Sequence, residues 1–234
     1  METTMYDNLL LLPLFQGLSK NDLTTIIEKI KLNFLQYKEG EIFIQQGESC
    51  KQLCFLLNGQ VIVQTKDQEH AYSLSEIIDG PYIIEPHSLF GRKTCYTATY
   101  RAQTPVSILT IDKSFLFNTL NNYEIFQLNY LNILSSRCQV AYQKLWDTHI
   151  GSLPEKFINF LALRCQKQDG EKILQITMED LSHLINETRI NLSRLLNELQ
   201  EQGLVQLKRK EIHIPQFEKL IPYFTKTLSN NTVE

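Results

Sequence analysis

Apolar positions change their period along this chain, and each change marks a new kind of element. The run Leu14-Phe15-Gln16-Gly17-Leu18 leads into Ser19-x-x-Asp22, a helix-start signal. Leu23, Ile26, Ile27 and Ile30 come next at helical spacing, which predicts a short amphipathic helix ending near residue 30. The runs then shorten to β-prone stretches at 42–44, 53–57 and 61–63, punctuated by Gly40, Gly47 and Asn58-Gly59. Asn-Gly between two apolar runs is the strongest short hairpin signal, so a hairpin is expected there. Together these runs predict a compact antiparallel barrel or roll over about residues 34–112.

Beyond Asp112 there is neither glycine nor proline until Gly151, which predicts one long helix. Leu131, Leu134, Cys138, Ala141 and Leu145 recur at three- and four-residue steps on it, a heptad seam. An apolar stripe on a long exposed helix needs a partner, and a second copy of the chain is the expected one. The stretch from His149 to Pro154 breaks the helix, and Ser152-x-x-Glu155 is a capping box that opens the next, with Phe157, Phe160, Leu161 and Leu163 on its apolar side.

The stretch 173–214 carries the most specific pattern. A short strand around Ile173 and Gln175 precedes Thr177-x-x-Asp180, which starts a helix burying Leu181, Leu184 and Ile185. Asn186-Glu187-Thr188 is a tight turn, since Asn186 tolerates a left-handed backbone and Thr188 can cap a second helix. That helix buries Leu192, Leu195, Leu196 and Leu199, and Gly203 terminates it. Two short helices across a three-residue turn make a helix-turn-helix.

The second helix turns Arg189, Asn191, Ser193 and Arg194 away from the leucines. Arginine can fork to guanine, asparagine to adenine, and hydroxyls such as those of Thr188 and Ser193 reach phosphate. Lys208-Arg209-Lys210, before the strand at 211–214, form the basic tip of a wing that would lie on phosphates.

Charge sharpens this reading, because 23 basic against 26 acidic residues give a net charge of −3, and a nucleic acid must therefore meet a local patch. Five cysteines without metal-ligand spacing read as reduced thiols, and no metal site is expected. No catalytic set, phosphate-cradling loop or metal cluster points to an enzyme. No membrane span or secretion signal is seen, so a cytoplasmic location is expected.

The segments 176–181, 188–196 and 201–205 closely resemble the DNA-binding domain of the Crp/Fnr family of bacterial regulators. Phe15-x-Gly17-Leu18, Gly40-Glu41, Gly47-Glu48 and the stretch 55–61 resemble the opening of that family's cyclic-nucleotide-binding β-roll. The resemblance implies an α+β architecture: a jelly-roll-like antiparallel β-roll sensor with its N-terminal helix (1–112), a dimerisation helix and hinge (113–150), a winged helix-turn-helix (151–225) and a flexible tail (226–234). It implies a homodimer on palindromic double-stranded DNA, RNA polymerase as a partner of an activator, and a small-molecule effector that shifts the two DNA-binding domains across the helix and hinge.

In nucleotide-binding members a glutamate holds the ribose and an arginine the cyclic phosphate. The matching positions here are Glu85 and the pair Tyr96-Thr97, so the arginine is replaced by Tyr96, with Arg92 and Lys93 nearby in sequence. A buried phosphodiester without a cation is unfavourable, and the effector expected at Glu85, Tyr96 and Thr97 is therefore not cyclic AMP. Arg189 and Arg194 match family arginines, whereas Ile190 stands where an acidic cytosine reader is usual and could meet a thymine methyl. A ligand-sensing module whose helix-turn-helix binds protein rather than DNA is the alternative.

Overall fold

The computed structural model describes residues 10, 12–29, 32–67, 69, 71–118, 122–147 and 151–220. The chain forms two compact units, one of residues 1–63 and 78–139, the other of 64–77 and 140–234.

In the first unit Ser19 caps helix α1 (Lys20–Lys29), its hydroxyl accepting the Asp22 N–H at 3.0 Å. Of the predicted inward residues Ile26 is buried; the side chains of Leu23 and Ile27, and all of Ile30, lie outside the described residues. One antiparallel sheet takes strands β1 (Asn33–Tyr37), β8 (Val106–Asp112), β3 (Gln52–Asn58) and β6 (Tyr82–Ile84) in that order. Another joins β2 (Ile42–Ile44), β7 (Thr99–Ala102) and the root of β4 (Gln60–Asp67). Phe55, Leu56 and Leu109 of the first sheet share one core with Val61, Val63 and Tyr100 of the second.

Asn58-Gly59 does not make the expected hairpin. β3 pairs with β8 and β6 whereas β4 lies beside β7, so the dipeptide is a corner where the chain changes sheets. Glycine is needed there twice over: its φ is +87°, and a Cβ would stand 2.5 Å from the Pro105 carbonyl oxygen.

The single helix expected after residue 112 is two helices, α2 (Lys113–Asn118) and α3 (Glu124–Asp147). Asn122 turns its amide back onto the Asn118 carbonyl at 3.1 Å, the local side-chain bonding by which asparagine competes with helix continuation. On α3, Leu131, Cys138 and Ala141 are exposed and Leu134 is half-buried; the Leu145 side chain is not among those described. No helix among the described residues is long and apolar enough to cross a membrane.

In the second unit α4 (Leu153–Arg164) begins at the predicted box, where the Glu155 carboxylate takes both the N–H and the hydroxyl of Ser152 at 2.7 and 2.8 Å. β9 (Lys172–Gln175), α5 (Met178–Leu184), α6 (Arg189–Glu201), β10 (Gln206–Lys208) and β11 (Glu211–Ile214) complete it. The sheet of this unit runs β10, β11, β9 and then β5 (Tyr72–Asp79), a strand from a distant part of the sequence. The periodicity assigned residues 64–77 to the roll; long-range pairing with β9 places them with the C-terminal residues.

Replacing Gly59 by alanine should lower the unfolding free energy by roughly 2–4 kcal/mol in urea titrations, since strain and a backbone clash add. Gly40→Ala, at the same φ but with nothing within 4 Å of the added Cβ, should cost only about 1–2 kcal/mol.

Candidate nucleic-acid interface and roll interior

The helix-turn-helix forms from the signals that announced it. Thr177 caps α5 by accepting the Asp180 N–H at 3.1 Å, and Asn186 adopts φ +52° in the turn. Thr188 caps α6 through the Asn191 N–H at 3.2 Å, and Gly203 ends it at φ +70°. Leu192, Leu196 and Leu199 are fully buried and Leu195 nearly so, which fixes how α6 is rotated about its axis.

That rotation decides what α6 offers to solvent. Thr188, Arg189, Ile190, Asn191 and Arg194 are exposed and Ser193 half-exposed, with Ile190 at 73% exposure. Arg189, Ile190, Ser193 and Arg194 line one shallow groove together with Asn197, which the sequence reading missed. Asn197 lies four residues after Ser193 and three after Arg194, so helical spacing alone would have found it.

Wing and helix meet at the start of α6. A cavity of about 350 Å³ is lined by Arg189 together with Lys208 and Lys210 of the wing. Arg209 and Lys210 form the tip between β10 and β11, with Lys210 at φ +60°. All three basic side chains are exposed, and Lys208 also bonds Glu211 at 3.0 Å, holding that carboxyl below its ordinary pKa.

In the roll, Glu85 is fully buried at φ +37°, just before a 3-10 turn (Pro86–Ser88). Its carboxylate accepts four donors: the Ser88 hydroxyl at 2.7 Å, the N–H groups of Thr97 and Ala98 at 2.7 and 3.0 Å, and the Tyr100 hydroxyl at 3.2 Å. Such a carboxylate is a strut joining the turn to the strand beyond it.

Tyr96 is buried, with its hydroxyl 3.4 Å from both the Cys54 Sγ and the Gln52 carbonyl. Burial pushes the Tyr96 phenol well above its ordinary pKa, and the Cys54 thiol to about 11, so both face each other uncharged. Thr97 is exposed, as are Arg92 and Lys93. The Glu85 carboxylate is thus engaged by four donors of the protein itself, and the Tyr96 phenol stands among neutral partners.

The sequence reading also missed Arg137 of α3, which donates to His87 Nδ1 and to the Tyr82 hydroxyl, both at 3.1 Å. Desolvation and the Arg137 charge hold the His87 imidazole below its ordinary pKa. Tyr130 of the same helix donates to the Pro86 carbonyl at 2.7 Å, so α3 grips the segment around Glu85 at two points.

A family model for the Crp-like helix-turn-helix domain matches residues 155–223, and one for the cyclic nucleotide-binding domain matches residues 34–123. The chain belongs to the Crp/Fnr family. It is 24% identical over 202 residues to a global nitrogen regulator of Synechococcus elongatus, covering 80% of this chain and 87% of the relative. It is 26% identical to a global nitrogen regulator of Synechocystis, covering 72% of this chain and 78% of that one. The catabolite activator protein of Thermus thermophilus is similar in structure with a TM-score of 0.48 at 18% identity, over 89% of this chain and 96% of that one.

For this Crp/Fnr chain the arrangement is that of a DNA-binding transcription regulator, with a winged helix-turn-helix at one end of the sequence and a β-roll at the other. Glu85→Gln replaces one acceptor oxygen by an NH₂ group that meets other donors. It should lower roll stability by about 2–3 kcal/mol, read as a fall in thermal midpoint.

Proposed function

We propose that the chain works as a homodimer on an approximately palindromic DNA site, with α6 in the major groove of each half-site and the wing tip on the flanking phosphates. One observation carries this: Arg189 of the recognition helix and Lys208 and Lys210 of the wing line one cavity, beside the exposed groove of Ile190, Ser193, Arg194 and Asn197. A chain of net charge −3 has concentrated cations where base and backbone contacts would be made together.

In this reading Arg189 and Arg194 fork to guanines, Asn191 pairs with adenine, Ser193 and Thr188 help hold phosphate, and Ile190 packs on a thymine methyl. The seam of Leu131, Leu134, Cys138, Ala141 and Leu145 joins two copies, so the recognition helices lie about one helical turn, roughly 34 Å, apart. The roll answers to an effector other than cyclic AMP near Glu85, Tyr96 and Thr97. Glu85 shapes that site from within rather than touching the ligand, as its four donors support.

Selection from random duplexes, then equilibrium binding, tests the reading. Wild type should enrich a palindrome, and Arg189→Ala combined with Arg194→Ala should weaken binding to it about 100-fold or more, as loss of two bidentate base contacts requires. Alanine at Lys208, Arg209 and Lys210 should instead weaken binding to every duplex, and reduce the slope of log affinity against log salt by up to about 0.9 per lost phosphate contact. Enrichment of no sequence, or a flat salt response, would count against DNA as the partner.

A further inference from the structure

Two thiols of the roll converge on one oxygen. Cys50 and Cys54 are buried, and both thiols donate to the Gln52 carbonyl, with Sγ···O distances of 3.5 and 3.9 Å. The Tyr96 hydroxyl, 42 residues beyond Cys54, reaches the same carbonyl at 3.4 Å and the Cys54 Sγ at 3.4 Å, and it bonds the Cys50 thiol as well. Three donors thus share an oxygen that has two lone pairs. All four residues belong to the first unit.

The spacing is loose for hydrogen bonding and right for something else. A hydroxyl ordinarily bonds an oxygen at about 2.5–3.0 Å, shorter than the contact between Tyr96 and the Gln52 carbonyl. A tetrahedral ion with bonds of about 2.3 Å to sulfur and about 2.0–2.2 Å to oxygen holds its donors about 3.3–3.8 Å apart. Three of the four contacts fall inside that range and the fourth, from Cys54 to the carbonyl, just beyond it. The Thr110 hydroxyl is directly opposite Cys54 across the β3 and β8 pair, hence on the same face. It is buried and has no hydrogen-bond partner among the described residues, so a polar atom beside this thiol is left unused by the protein itself.

Charge selects the ion. Burial keeps both thiols and the phenol protonated, so an ion entering this neutral interior must have its charge cancelled there. Two thiols that release their protons to solvent cancel two positive charges; a monovalent ion would leave one negative charge in excess, and a trivalent ion one positive. Thiolate sulfur favours zinc and cadmium over magnesium or calcium. We propose that Cys50, Cys54, Tyr96 and the Gln52 carbonyl form a site for one thiophilic divalent cation, zinc or cadmium, with both cysteines bound as thiolates. The site shares Tyr96 with the effector region proposed above, yet it stands on its own geometry and holds whether or not the chain reads DNA. The spacing Cys50-x-x-x-Cys54 alone announces no metal site, because the remaining donors are a distant phenol and a backbone carbonyl. For the same reason no group of three His, Cys, Asp or Glu side chains gathers here among the described residues.

The test titrates Cd²⁺ alone, and then Zn²⁺ alone, into the reduced full chain. One ion should bind per chain, with sulfur-to-cadmium charge-transfer absorption and release of about two protons per ion. Excess Mg²⁺ should not displace it. Replacing the three other cysteines together, Cys95→Ser, Cys138→Ser and Cys165→Ser, spares the two buried roll thiols and should leave the affinity within about threefold of wild type. Cys50→Ser and Cys54→Ser should each weaken binding at least about 100-fold, and Tyr96→Phe about tenfold, since loss of even an outer partner of a metal site costs about 10–100-fold.

The triple variant decides the matter even where a substitution in the roll prevents folding. Loss of the charge-transfer band in that variant, or undiminished binding in both Cys50→Ser and Cys54→Ser, would assign the ion to other thiols and overturn the site while leaving the DNA reading intact. A wild type that binds neither ion would overturn it equally.

Discussion

The side chains that the winged helix can present to a partner depend on the leucine stripe of α6. Leu192, Leu195, Leu196 and Leu199 pack inward, and because an α-helix has a fixed angular step, their burial dictates that Arg189, Ile190, Ser193, Arg194 and Asn197 face outward. The caps at Thr177 and Thr188 and the left-handed Asn186 then set where that helix starts relative to the wing. A leucine deleted from the stripe would cost several kcal/mol and also loosen the rotation on which the arrangement of side chains relies. Packing and recognition are two sides of the same helix.

Opposite constraints govern the roll. There the chemistry is directed inward: Glu85 is used up by four donors, and Tyr96 shares its hydroxyl with Cys54 and a backbone carbonyl. A carboxylate so placed stabilises the turn from Pro86 to Ser88, onto which α3 also fastens through Tyr130 and Arg137. The family match to a cyclic nucleotide-binding domain therefore sits on a roll whose buried glutamate is a strut of the protein itself.

The winged helix was legible in the sequence because its determinants are local. Capping boxes, a three-residue turn with asparagine, a four-leucine stripe and a closing glycine each act within a few residues, and each appears where its chemistry says it should. Features set by distant partners were not legible. Nothing around Tyr72 announces pairing with a strand about 100 residues later, since an alternating pattern states which face is buried but not against what. Asn58-Gly59 carries the turn chemistry of a hairpin, yet the Pro105 carbonyl beside it and the neighbours of β3 and β4 make it a corner. The boundary between α2 and α3 carries neither glycine nor proline; there the Asn122 amide bonds the Asn118 carbonyl, a local contact that apolar periodicity does not announce. In the roll, the sequence located Glu85 and Tyr96, but their burial and bonding partners emerge only from the fold.

Guanine N7 lies on the base edges that α6 is proposed to read in the major groove, and methylation interference addresses that surface directly. On a duplex enriched by the protein, the account predicts that N7 methylation blocks binding at guanines in two windows about 10 base pairs apart, one per half-site. Binding that tolerates methylation at every guanine of such a duplex would contradict it.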